Sequence, residues 1–60
     1  MHIKRRIERY LRRTRISPTR FGREALGDPR FVSDLRKGRE LREKTLRRVN
    51  AWLDRHEGES

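Results

Sequence analysis

The sequence predicts an all-α chain of four short helices, and three observations carry that prediction. The first is a helix-opening signal that occurs twice, eleven residues apart: Ser17-Pro18 and Asp28-Pro29 each place a side-chain acceptor directly before a proline. Such a pair suits an N-cap and the first helical position, because proline has no N–H to leave unpaired and its φ is already helical. The second is a spacing of apolar residues by three and four, which gathers them on one helix face. The third is the lack of any alternating Val, Ile or Thr run that would signal a strand.

Ile3, Ile7, Tyr10 and Leu11 form one stripe on a first helix, about residues 3–14. Its opposite face carries Arg5, Arg6, Arg9, Arg12 and Arg13. Arg15-Ile16 links to the Ser17 cap, and Ile16 with Phe21 has the spacing of a hydrophobic staple. The second helix, about 18–26, turns Phe21, Ala25 and Leu26 inward. Gly22 in its interior is unfavourable by about 1 kcal/mol relative to Ala, which predicts the close approach of another helix. Gly27 ends this helix, and Asp28 caps a third, about 29–37. Val32 and Leu35 face its core side, and Arg30, Ser33, Asp34 and Lys37 its exposed side. Phe31 fits either a place against helix two or the outer surface. Gly38 marks the end of helix three.

A basic loop, Arg39-Glu40-Leu41-Arg42, leads to a fourth helix, about 43–55, with Leu46, Val49, Trp52 and Leu53 as its stripe. Trp52 reads as core rather than a base-stacking platform, and Tyr10 as core with its hydroxyl at the rim. Glu43 in the first turn and Arg55 in the last suit the helix dipole. The domain is expected over residues 1–56 and a flexible polar tail over 57–60.

Sixty residues with 30% hydrophobic and 45% charged content allow only a small core, near the lower limit of independent folding. Periodic apolar residues and punctuated helix ends favour a folded state over disorder until bound. There is no cysteine, and His2 and His56 lie far apart, so no metal or cofactor site is expected. No apolar run approaches the roughly 20 residues of a membrane span, and Met1–Arg6 is followed by no signal-peptide core. A cytoplasmic, nucleoid-associated protein is the expectation. No nucleophile–base pair, converging carboxylates or phosphate-cradling glycine loop suggests an enzyme, so no catalytic residue is assigned.

The formal net charge is +9 and is unevenly placed. Residues 1–23 hold nine basic side chains against Glu8 alone, a net of +8, whereas residues 24–60 hold nine basic against eight acidic, a net of +1. A basic third without counter-charges looks like a footprint for phosphates. Two short helices across a tight turn outline a helix-turn-helix, and the two features together point to DNA.

From Ile3 to Leu53 the sequence resembles the lambda-repressor-like helix-turn-helix proteins, the phage repressors, Cro and their bacterial relatives. Ser17 falls on that family's helix-two cap, and Phe21-Gly22 on its Leu-Ala pair. Val32 and Leu35 fall on the two buried aliphatics of its recognition helix, and Gly38 on its closing glycine. Leu46, Val49 and Leu53 fall on the core of its fourth helix. The expected fold is therefore a compact four-helix lambda-repressor-like helix-turn-helix domain lacking the fifth helix that the family often uses to dimerise. A monomer or weak dimer follows. The turn glycine, Gly27, falls one place late, and Pro29 stands where the family often carries a base-reading side chain. The family's pair between the end of the recognition helix and helix one falls on Arg36 and Leu11, so that ion pair is expected to be absent and Arg36 free for a phosphate.

The resemblance implies that helix three enters the major groove of double-stranded DNA. Base reading is assigned to Arg30 first, then Ser33, Asp34 and Lys37, with Asp34 favoured as an orienter of Arg30 at i+4. Phosphate contacts are assigned to Lys4, Arg5 and Arg6 as an arm, and to Arg12, Arg13, Thr19, Arg20, Arg36, Arg39 and Arg42. The function expected is sequence-specific binding by a small transcriptional regulator of bacterial or phage type, helped by a co-binding protein or RNA polymerase. The alternatives are a non-specific architectural nucleic-acid binder, a basic adaptor for an acidic protein, and a basic amphipathic helix on a membrane surface.

Overall fold

The computed structural model describes residues 3–57, which form α1 (Ile3–Thr14), α2 (Pro18–Leu26), α3 (Phe31–Arg36) and α4 (Glu43–Glu57). No strand occurs among the described residues. Met1, His2 and residues 58–60, the rest of the expected tail, lie outside them.

The two cap signals act differently. Ser17 is extended at φ −71°, ψ 150°, and its hydroxyl accepts from the Arg20 N–H at 3.0 Å, with Pro18 opening α2. At the second signal, the Asp28 carboxylate accepts from the Arg30 N–H at 3.0 Å, and the Asp28 carbonyl accepts from the Phe31 N–H at 3.1 Å. That three-residue closure makes Asp28–Phe31 a tight turn. The α ladder then opens at Arg30, whose carbonyl accepts from the Asp34 N–H at 2.9 Å. Helix three therefore begins at Phe31, two residues later than expected, and ends one residue earlier, at Arg36. Gly27, at φ +69°, closes α2 in the left-handed conformation as its sequence predicts.

Gly22 is where α2 meets the start of α3. A Cβ built there would lie 2.2 Å from the Asp28 carbonyl oxygen and 3.2 Å from Phe31 Cβ. The Gly22 carbonyl also accepts from the Asp28 N–H at 3.1 Å. The predicted close approach is present, and it is to the turn that precedes α3.

Ile7, Phe21, Phe31, Val49 and Leu53 are wholly enclosed, with Leu11, Ala25, Val32 and Leu35 buried around them. Phe31 thus belongs to the core. Among the described residues no polar or charged side chain is buried. Trp52 is half-buried, edge-on to Phe21 at 5.2 Å and to Tyr10 at 5.4 Å between centroids, so it packs as a core aromatic. The radius of gyration is 10.5 Å, in line with the roughly 10 Å expected of a folded chain of this length.

α4 extends two residues past its expected end. Glu57 belongs to the helix rather than to a tail, and its carboxylate accepts from the Arg6 guanidinium at 3.1 and 3.4 Å. α1 in turn begins at Ile3, so Lys4, Arg5 and Arg6 stand on its first turns and form no arm.

Candidate nucleic-acid interface

The face of α3 follows from its period. With 100° per residue, burial of Phe31, Val32 and Leu35 turns Ser33 and Lys37 outward. Arg30, in the turn just ahead of the helix at φ −94°, ψ 0°, joins them on that side. All three are exposed, and among the described residues none of their side chains makes an ion pair. Asp34 differs from expectation. It is half-buried at the flank of this face, and its partner is Arg39 at 3.5 Å, not Arg30.

Arg39 is the centre of a small brace. Its guanidinium also reaches Asp28 at 3.3 Å and lies 5.9 Å from the Phe31 ring centroid. Its backbone N–H donates to the Asp34 carbonyl at 3.0 Å. That bond forms because Gly38, at φ +104°, turns the chain back over the end of α3. The pairing is compact because both carboxylates belong to the turn and helix that Gly38 closes.

Arg36 is not free. Its Nε and Nη2 both donate to the Glu8 carboxylate at 2.7 Å, a two-pronged pair between the end of α3 and α1. The expected absence of this bridge came from comparing Arg36 with Leu11; the partner lies three residues earlier on α1. The hydrogen bond from Arg36, with added attraction from Lys4 and Arg12, holds the Glu8 carboxyl below the usual carboxylate range.

α1 divides its cations between two sides. Lys4, Arg5 and Arg12 flank Glu8 on the side facing the end of α3, by the same 100° period. Arg6 and Arg13 stand on the other flank. The Arg6 side chain is only 15% exposed and donates to Asn50 Oδ1 at 2.7 Å, Asp54 at 2.6 Å and Glu57. Its bonds hold the Glu57 carboxyl below its ordinary range as well. Arg13 lines a shallow recess with Arg9, Tyr10 and Glu57 near the end of α4.

Thr19 and Arg20 are exposed in the first turn of α2, with Arg20 paired to Glu24 one turn on. Arg42 is exposed ahead of α4, where its carbonyl accepts from the Leu46 N–H at 2.9 Å. The structure therefore brings Arg30, Ser33, Lys37, Lys4, Arg5 and Arg12 toward the α3 side, and draws Arg6 and Arg13 away from it.

Sequence reasoning missed the roles of Glu8, Asn50, Asp54 and Glu57. Glu8 carried a signal, as the sole acid in a 23-residue basic stretch. Among the described residues Glu40 alone of the acids makes no ion pair. No described helix is long and apolar enough to cross a membrane, and no group of described His, Asp or Glu residues could hold a metal ion. No protein-family model, curated protein or solved structure matches the chain.

Proposed function

We propose that the protein binds double-stranded DNA sequence-specifically as a lambda-repressor-like helix-turn-helix regulator, with α3 in the major groove. The observation that carries this reading is the α3 face. Arg30, Ser33 and Lys37 project together while three acids around α3 are taken up: Asp28 and Asp34 by Arg39, and Glu8 by Arg36. The face left to a ligand is made of hydrogen-bond donors and positive charge, which suits phosphate and the acceptor-rich edge of guanine. Lys4, Arg5, Arg12 and Arg42 supply phosphate contacts beside it. Gly22 supports the reading too, since it lets α2 and the turn before α3 approach closely. A site read by so small a domain calls for a co-binding protein or tandem copies to be selective in a genome.

The test is selection of bound duplexes from a randomised library, followed by salt titration on the enriched sequence. A shared motif is expected, with a slope of log K on log salt of roughly −4, about −0.9 for each of those four phosphate contacts. Arg30→Ala should relax one motif position by about 1–3 kcal/mol, and Arg5→Ala should weaken all sequences alike. Enriched duplexes without a motif, or equal and sequence-independent losses in the two variants, would leave a charge-driven binder in place of the regulator.

A further inference from the structure

Asp34 is the one carboxylate carried by α3 itself, at the flank of its outward face, and its setting bears on what that face can recognise. An unpaired aspartate there would do two things. It would accept from a cytosine amino group, and, being four residues from Arg30, it would compete with a base for the Arg30 guanidinium. In the structure Asp34 does not pair with Arg30; Arg39 lies against the Asp34 carboxylate at 3.5 Å and the Asp28 carboxylate at 3.3 Å instead. Arg39 is held at this place by its own backbone. Its N–H donates to the Asp34 carbonyl at 3.0 Å, and Gly38 at φ +104° sets the direction of the chain.

We infer that Arg39 is a specificity-determining positioning residue: by clamping Asp34 aside it leaves Arg30 and Lys37 as donors with no carboxylate competing for them, and the site that α3 reads is marked by guanine rather than cytosine on the contacted strand. This rests on the proposed DNA-binding function and adds the base class and the residue that sets it. Arg39 touches no base in this arrangement. Arg30 supplies the two-pronged donor for guanine O6 and N7, and Lys37, seven residues on, supplies a second donor. The expected motif therefore has one guanine at the Arg30 position and a second at the Lys37 position.

The test compares selections from a randomised duplex library for the unaltered protein, Arg39→Met, Asp34→Ala and the double variant. The unaltered protein is expected to enrich guanine at both positions, and Asp34→Ala to keep that preference. In Arg39→Met, guanine enrichment at the Arg30 position should fall about two- to fivefold, the reach of an exposed ion pair, with cytosine gaining. The double variant should recover the guanine preference, because the Asp34 carboxylate is gone while Asp28 still accepts from the Arg30 backbone N–H. An Arg39 that only grips phosphate gives another pattern, with affinity lower in both Arg39 variants and the motif unchanged; that result overturns the inference. A motif in the unaltered protein that lacks guanine also overturns it while leaving DNA reading intact. If the unaltered protein yields no motif, the proposed function fails and the inference with it.

Discussion

Replacing Gly22 by alanine sets two effects of opposite sign against each other. In an open helix the change is favourable by about 1 kcal/mol, since glycine loses more backbone freedom on folding. Here the added Cβ would lie 2.2 Å from the Asp28 carbonyl oxygen and 3.2 Å from Phe31 Cβ. That oxygen is backbone and cannot rotate away, and it is already accepting the Phe31 N–H at 3.1 Å. Relief needs α2 and the turn to part by about 1 Å, given ordinary contact distances above 3 Å. Such a shift stretches the bond from the Asp28 N–H to the Gly22 carbonyl, worth about 1 kcal/mol, and loosens the wholly enclosed Phe31. Overpacking of this kind costs about 1–3 kcal/mol more. Set against the propensity gain, the net is a destabilisation of about 1–3 kcal/mol. In a domain of 60 residues that lowers Tm by roughly 5–20 °C. Thermal and urea unfolding followed by far-ultraviolet circular dichroism would measure it. The sign decides the matter: a Gly22→Ala protein more stable by about 1 kcal/mol would refute the close approach of α2 to the turn.

The Arg6 network should separate from the other α1 cations in the same unfolding assay. Arg6→Met is expected to lose about 1–2 kcal/mol, because three α4 acceptors lose their donor, whereas Arg5→Ala should stay within about 0.5 kcal/mol; equal effects would count against the network. Acid should act through Glu8 and Glu57. Both carboxyls are held below their ordinary value near 4.5, so their contribution is present above that value and is lost as the pH falls through the depressed one. Urea midpoints should accordingly hold steady from pH 7 to about 5 and fall below about 4.5, and a Glu8→Gln, Glu57→Gln protein should show a shallower fall; an unchanged profile would sink that account. Arg15 closes α1 at φ +62°, which costs a side-chain residue about 1 kcal/mol. Arg15→Gly should therefore stabilise by about 0.5–1 kcal/mol, and a loss of stability would show that the Arg15 side chain makes a contribution of its own.

What could be read from the sequence was depth, because helical period sorts residues by distance from the core. Ile7, Phe21, Val32, Leu35, Val49 and Leu53 are buried where their spacing put them. Gly22 announced a close approach and Gly38 a helix end through their positions in the apolar pattern. Lateral direction was not legible. Arg6 and Arg12 share the polar face of α1, yet one turns to Asn50, Asp54 and Glu57 and the other lies beside Glu8. Which flank a cation occupies depends on which helix packs alongside, and that is a property of tertiary arrangement. The start of α3 was missed for a related reason. Asp28-Pro29 is compatible both with an α-helical first turn and with a tighter closure, and the choice falls to the closure that lets the Asp28 carbonyl accept from Phe31 while Phe31 enters the core.

The same turn chemistry links the end of α3 to what its face can present. Arg39 reaches Asp34 because Gly38 adopts φ +104°, a conformation that side-chain residues rarely take, and Asp34 is thereby held at the flank. The carboxylate that sequence pattern alone paired with Arg30 is committed to a residue five positions later instead. On a helix of six residues the flanking caps contribute as much of the outward surface as the helix does: Arg30 stands before it and Lys37 after it. The chemistry of this face is therefore set by the turns at its two ends, and a change at Gly38 or Asp28 should shift what it presents without touching a residue that projects from α3.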